Sequence, residues 1–132
     1  MPKPGQDWHF FEIDPLMVEV ATRKKVFSFM DRCAPDAKIH LGDARLTLAE
    51  RPKASFDLLA IDAFSSDSIP IHLLTKEAFD VYRRVLKPNG LLIVHISNRH
   101  VNLKPVLAAE AKLGKWALAQ RDDNPPEKYT ET

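Results

Sequence analysis

Two apolar runs of strand length decide most of what this chain can fold into. Phe56–Ile61 reads F-D-L-L-A-I and Leu91–Ile96 reads L-L-I-V-H-I. A strand with one face in water alternates apolar and polar residues, whereas near-continuous apolar character is what a strand buried on both faces requires. Such strands belong to parallel sheets covered by helices, and the intervening segments have to supply those helices.

They are suited to it. Trp8–Ile13 (W-H-F-F-E-I) is an aromatic, β-branched run that stops at Asp14-Pro15, where Asp can cap a helix and Pro fits its first position. Leu16, Val20, Phe27 and Met30 then fall near 3.6-residue spacing, which predicts one amphipathic helix to about Arg32. A short strand over Ala37–Leu41 leads through G-D-A-R (Gly42–Arg45) into a brief helix, Leu46–Arg51. Thr75 can cap a helix to Leu86 whose inward face is Ala78, Tyr82, Val85 and Leu86. K-P-N-G (Lys87–Gly90) signals a turn, Pro105 opens a helix that Gly114 ends, and Trp116–Gln120 has the character of a last strand. Residues 1–7 and 121–132 are expected to be loose. The whole is an open, mainly parallel α/β sheet flanked by helices, with right-handed crossovers.

Composition narrows the function classes. At 132 residues the chain has room for one domain, 1–132. Nineteen Lys and Arg against 18 Asp and Glu leave a net charge of +1, which argues against an electrostatic nucleic-acid binder. No apolar run approaches the ~20 residues that span a bilayer, so no membrane partner is expected for this chain. Without a secretory start, and with one cysteine, Cys33, a cytoplasmic location is the default. Cys33 falls on the apolar side of the first helix and reads as core. His9, His40, His72, His95 and His100 lack metal-type spacing, so no metal is expected.

In open α/β sheets ligands bind outside the carboxyl ends of the strands. Three strands end in acid: Glu12 and Asp14, Asp43, and Asp62, with Asp67 five residues further on. Ionised carboxylates only accept hydrogen bonds, so the cluster suits a ligand carrying hydroxyls, an amino group or positive charge. Asp14 reads as a helix cap rather than a ligand; Asp43 can be either. Asp62 ends the more apolar strand and enters a loop, the strongest of these positions for a functional acid.

The stretch D-L-L-A-I-D-A-F-S-S-D-S-I-P-I-H-L-L-T-K-E-A-F (Asp57–Phe79), followed by L-K-P-N-G-L-L-I-V-H-I-S-N-R (Leu86–Arg99), resembles spermidine synthase-like proteins, which use the Rossmann-like fold of the class I S-adenosylmethionine-dependent methyltransferases. F-F-E-I-D-P (Phe10–Pro15) and H-L-G-D-A-R (His40–Arg45) match in order and spacing, and the resemblance runs from Trp8 to about Gln120. It implies transfer of an aminopropyl or methyl group to a small-molecule amine from an adenosyl sulfonium cofactor, S-adenosylmethionine or its decarboxylated form. Glu12 matches the acid that receives the ribose hydroxyls, and Asp43 and Ala44 the pair at the adenine. Asp62 matches the acid that orients or deprotonates the attacking amine. Asp67 is a weaker match as a substrate-binding acid, because the family's second acid follows the first by three residues.

The resemblance also implies parts not found here. The family's first strand and glycine-rich turn precede the strand ending in E-I-D; only seven residues precede Trp8, and the chain has 4 glycines. The family's N-terminal hairpin domain and last strand are missing too, so a chain truncated at its start is expected. Its absent strand lies between the Trp8 and Phe56 strands, and without it two half-sheets should stand unpaired unless they join directly or another chain fills the gap. The alternative to an enzyme is therefore a non-catalytic remnant or assembly module of the same fold, and a homo-oligomer is expected.

Overall fold

The computed structural model describes residues 3, 5–23, 27–63, 69–96 and 101–121. Strand β1 (His9–Glu12) is followed by helices α1 (Pro15–Thr22) and α2 (Phe29–Cys33), strand β2 (Lys38–Leu41), helix α3 (Ala44–Ala49) and strand β3 (Phe56–Ile61). A 3-10 turn (Ile71–Leu73) leads to α4 (Lys76–Val85), β4 (Leu86–Val94) and α5 (Lys104–Gly114). Among the described residues all strand pairing is parallel, and the architecture is mixed α/β with helices flanking the strands, consistent with a methyltransferase-like fold.

The single sheet is divided. β1 pairs with β2, β3 pairs with β4, and no ladder joins β1 to β3 among the described residues. Among the described residues, β1 and β3 have therefore not closed on each other through backbone hydrogen bonds. What lies between the pairs is aromatic: Phe56 meets His9 and Phe11 edge-on, with ring centroids 5.3 and 6.2 Å apart. Phe11 stacks in turn on His40 at 4.7 Å.

The core forms where α4 lies on β3. Ala78, Tyr82 and Val85 are fully buried, with Phe79 beside them, and they pack on Leu59, Ile61 and Leu86 and on Leu48 of α3. Each large apolar side chain so buried contributes about 1.5–3 kcal/mol. The expected inward face of α4 is thus observed, and Thr75 caps the helix by accepting from the Ala78 N–H. Arg84 ties α4 to α3 by donating to the carbonyls of Arg51 and Ala49, both at 2.7 Å.

Several expectations are corrected. The strand at Phe56–Ile61 has the expected bounds but only one buried face: Leu59 and Ile61 are inside, while Leu58 is 49% exposed. Leu91 (57%) and Ile93 (47%) continue that open row on β4, because α4 and the core both lie on the other side. The first helix is two, since Thr22 bonds its hydroxyl back to the Val18 carbonyl and Arg23 turns extended at ψ 98°. K-P-N-G does not separate α4 from β4; it lies inside β4 as a bulge, with Phe56 opposite Leu86 but Leu58 opposite Leu91. Trp116–Gln120 forms no strand; Trp116 packs instead edge-on to Phe79 and under Arg83. At the end of α5 the left-handed residue is Lys115 (φ 54°), one position after Gly114. The expected loose tail lies almost wholly outside the described residues. Cys33 is half-buried beside Trp8, Phe10, Phe29 and Ala34 in a cleft of about 300 Å³. No helix among the described residues is long and apolar enough to cross a membrane.

Candidate functional site

Parallel pairing puts the ends of β1 and β2 side by side. Glu12 lies opposite Leu41, and the Gly42 N–H donates to the Glu12 carbonyl at 2.8 Å. Glu12 Oε1 accepts from the Asp14 N–H at 2.9 Å, which fixes the carboxylate at the mouth of the turn. Asp14 accepts from the Leu16 N–H at 2.8 Å and is the cap of α1, with Pro15 in the first turn.

The turn after β2 depends on Gly42, whose φ of 137° lies in the region that disfavours side chains; a Cβ there would also stand 3.1 Å from the Thr47 methyl. It delivers Asp43 to the start of α3, where one carboxylate oxygen accepts from the N–H groups of Arg45 (2.9 Å) and Leu46 (3.1 Å). The helix therefore starts at Ala44, two residues before the position expected from sequence. The other oxygen meets His72 Nε2 at 3.0 Å. Asp43 is accordingly a cap and a histidine partner in one, and its side chain is still 24% exposed.

Asp62 stands on the other pair, one residue beyond β3. Its Oδ1 lies 2.7 Å from His95 Nδ1, one residue beyond β4. Both side chains are more than half exposed, so the acid faces solvent. The structure thus brings Glu12 and Asp43 together on one pair of strand ends and places Asp62 on the next. Asp67, His100 and the S-N (97–98) that follows β4 lie outside the described residues. Among the described residues no three His, Cys, Asp or Glu side chains gather to hold a metal.

The two histidines are what sequence reasoning missed. Neither has metal-type spacing in the sequence, so neither stands out there. A signal for His95 existed: L-L-A-I-D and L-L-I-V-H each place one polar residue after four apolar ones, and in parallel register those polar residues face each other.

Electrostatics elsewhere are structural. His9 and His40 share a hydrogen bond of 2.8 Å between ring nitrogens. Burial, helped by the charge of Arg51, holds the His40 imidazole below its ordinary value. Lys38 and then His9 hold Asp7 below the usual carboxylate range. Burial pushes the Tyr82 phenol up, and its O–H donates to the Leu73 carbonyl at 3.0 Å, holding the segment that carries His72.

No family model matches the chain. It is 29% identical over 94 residues to the polyamine aminopropyltransferase of Vibrio vulnificus, covering 70% of this chain and 30% of that protein. With the spermine synthase of Arabidopsis thaliana it shares 31% over 86 residues, 61% of this chain and 23% of the other. With the eEF1A lysine and N-terminal methyltransferase of Bos taurus it shares 31% over 115 residues, 79% and 16% respectively. The chain thus spans less than a third of the length of each of these relatives.

Proposed function

This chain is a spermidine synthase-like member of the methyltransferase fold, and from that premise we propose that it serves group transfer from an adenosyl sulfonium to an amine nitrogen. Glu12 receives the ribose hydroxyls; Asp43 and the adjoining Ala44 take the adenine, the carboxylate accepting from the amino group. Asp62 stands at the reacting amine. The observation that supports the reading is the placement of all three acids at carboxyl ends of parallel strands, Glu12 and Asp43 on the β1–β2 pair and Asp62 on the β3–β4 pair.

The acceptor class is supported by the relatives' names: a polyamine aminopropyltransferase, a spermine synthase, and a methyltransferase acting on lysine and an N-terminus. In each the receiving atom is an amine nitrogen. A sulfonium supplies a carbon already activated for displacement, so the chain's own task is to hold a neutral amine in line with that carbon and take its proton. The cofactor is S-adenosylmethionine or its decarboxylated form. The donor set fits the nucleoside half, since Glu12 and Asp43 are acceptors only when ionised.

Calorimetric titration with S-adenosylmethionine, decarboxylated S-adenosylmethionine and methylthioadenosine tests this. Micromolar to millimolar binding is expected of at least methylthioadenosine, and no binding by any of the three at millimolar concentration refutes it.

A second reading, a non-catalytic assembly module, is favoured by the divided sheet and by the exposed row of Leu58, Leu91 and Ile93. In it, copies of the chain associate to cover these edges and this face. A clean monomer by sedimentation, with measurable nucleoside affinity, counts against it.

A further inference from the structure

Asp43 has little acceptor capacity left, and the place of what remains is fixed. An ionised carboxylate offers about four lone-pair positions, two on each oxygen. Oδ1 uses both of its own on the Arg45 and Leu46 N–H groups, at 2.9 and 3.1 Å. Oδ2 faces His72 Nε2 at 3.0 Å. Among the described residues the position still open is therefore on Oδ2, beside the imidazole. Any further donor has to arrive there, and with side chains 24% and 45% exposed the pair is reachable from solvent.

The ring is set there by the fold. His72 stands in the 3-10 turn Ile71–Leu73, closed by the Leu73 N–H on the Pro70 carbonyl and the Leu74 N–H on the Ile71 carbonyl, both at 2.9 Å. Leu73 and Leu74 are buried in the core, and the buried Tyr82 O–H donates to the Leu73 carbonyl at 3.0 Å. The turn is thus anchored on α4 while its imidazole reaches across to the start of α3.

A carboxylate has no proton to give, so the nitrogen facing it is the donor, and it holds Oδ2 from turning about the Oδ1 bonds. We infer that His72 is a positioning residue for base recognition: it fixes Oδ2 and leaves it one acceptor position, which takes a 6-amino purine and rejects a 6-oxo one. This rests on the function proposed above, in which Asp43 meets the adenine. A 6-oxo group would set a second acceptor against Oδ2 with no proton between them. Without His72, a water can take the vacated position and turn its hydrogens to both acceptors, which softens the rejection.

Calorimetric titration of the full chain with 5′-methylthioadenosine and 5′-methylthioinosine tests this. The wild type should prefer the amino base. His72→Ala removes the donor, His72→Asn is too short to bring its amide to Oδ2, and His72→Gln places an amide N–H near the position of Nε2. Ala and Asn should bind methylthioadenosine about three- to fivefold more weakly, the size fitting a half-exposed contact. They should hold methylthioinosine within about twofold, so the preference narrows. Gln should regain affinity and preference to within about twofold of wild type, which a ring serving only to fill space would not allow. If circular dichroism shows Ala unfolded, the contrast between Asn and Gln decides. Ala or Asn binding methylthioadenosine as wild type does, Gln binding it no better than Asn, or a wild type that holds both bases alike overturns the inference and leaves nucleoside binding standing. A wild type without affinity for methylthioadenosine overturns both.

Discussion

Asp43 separates structural from functional duty in a way two substitutions can read. Its Oδ1 accepts two N–H groups at the start of α3, and its Oδ2 faces His72. In Asp43→Ala the cap is lost, which costs about 1 kcal/mol. The half-exposed His72 contact adds no more than about 1 kcal/mol. The sum, about 1–2 kcal/mol, lowers the folding constant roughly 5–30-fold. The damage reaches the core because α3 is 6 residues long and carries Leu48, which is 1% exposed. Asp43→Ser keeps a hydroxyl acceptor for the cap and should stay within about 1 kcal/mol of wild type in urea unfolding. Yet it lacks the carboxylate that the adenine amino group would meet, so methylthioadenosine binding should weaken by about 1.5–3 kcal/mol, roughly 10–100-fold. Two results would refute the reasoning. If Ser unfolds as readily as Ala, the cap is not what Asp43 contributes; if Ser binds the nucleoside as wild type does, the acid does not touch it.

Tyr82→Phe removes the buried hydrogen bond to the Leu73 carbonyl and should cost about 1–3 kcal/mol in urea unfolding; an unchanged midpoint speaks against that bond. Arg84→Met strips the carbonyls of Leu48, Ala49 and Arg51 of their charged donor and should cost about 1.5–3 kcal/mol. Hydrogen exchange in α3 should rise with it, and unaltered protection there would disprove the link. Because the folded state holds His40 below its ordinary value, the unfolded chain binds more protons between that depressed value and about 6.5. Stability should therefore fall as pH drops from 7.5 to 5.5, and an equally steep fall in His40→Gln shows the slope to come from elsewhere.

The elements that local chemistry dictates were legible in the sequence. Asp14-Pro15 and Thr75 start helices because a short oxygen-bearing side chain meets free N–H groups. β3 has the bounds of its apolar run. What was not legible depends on neighbours. Continuous apolar character in F-D-L-L-A-I implies two covered faces, but Leu58 has a cover only if something packs over it, and local pattern does not specify what. K-P-N-G carries every mark of a turn, yet the ladder absorbs it as a bulge because Leu86 and Leu91 both find partners on β3. The acids at the strand ends were found from sequence, since chain order locates a strand end. Their histidines were not, because Asp43 and His72 meet only after the whole of β3 intervenes.

If the chain performs the proposed transfer, the division of the sheet turns distance into a kinetic variable. The acids proposed for the nucleoside stand at the ends of β1 and β2, and the acid proposed for the amine stands at the end of β3. Their separation is gauged by the rings of Phe11 and Phe56 and by the lean of α3 on α4, a soft spacer where a ladder would be a rigid rule. Displacement chemistry needs its reacting atoms about 3–3.5 Å apart, and a misplacement of about 1 Å can cost 100-fold in rate. Anything that seats between the two halves, or widens them, sets the throughput of the centre like a feeler gauge between jaws, without touching one reacting atom.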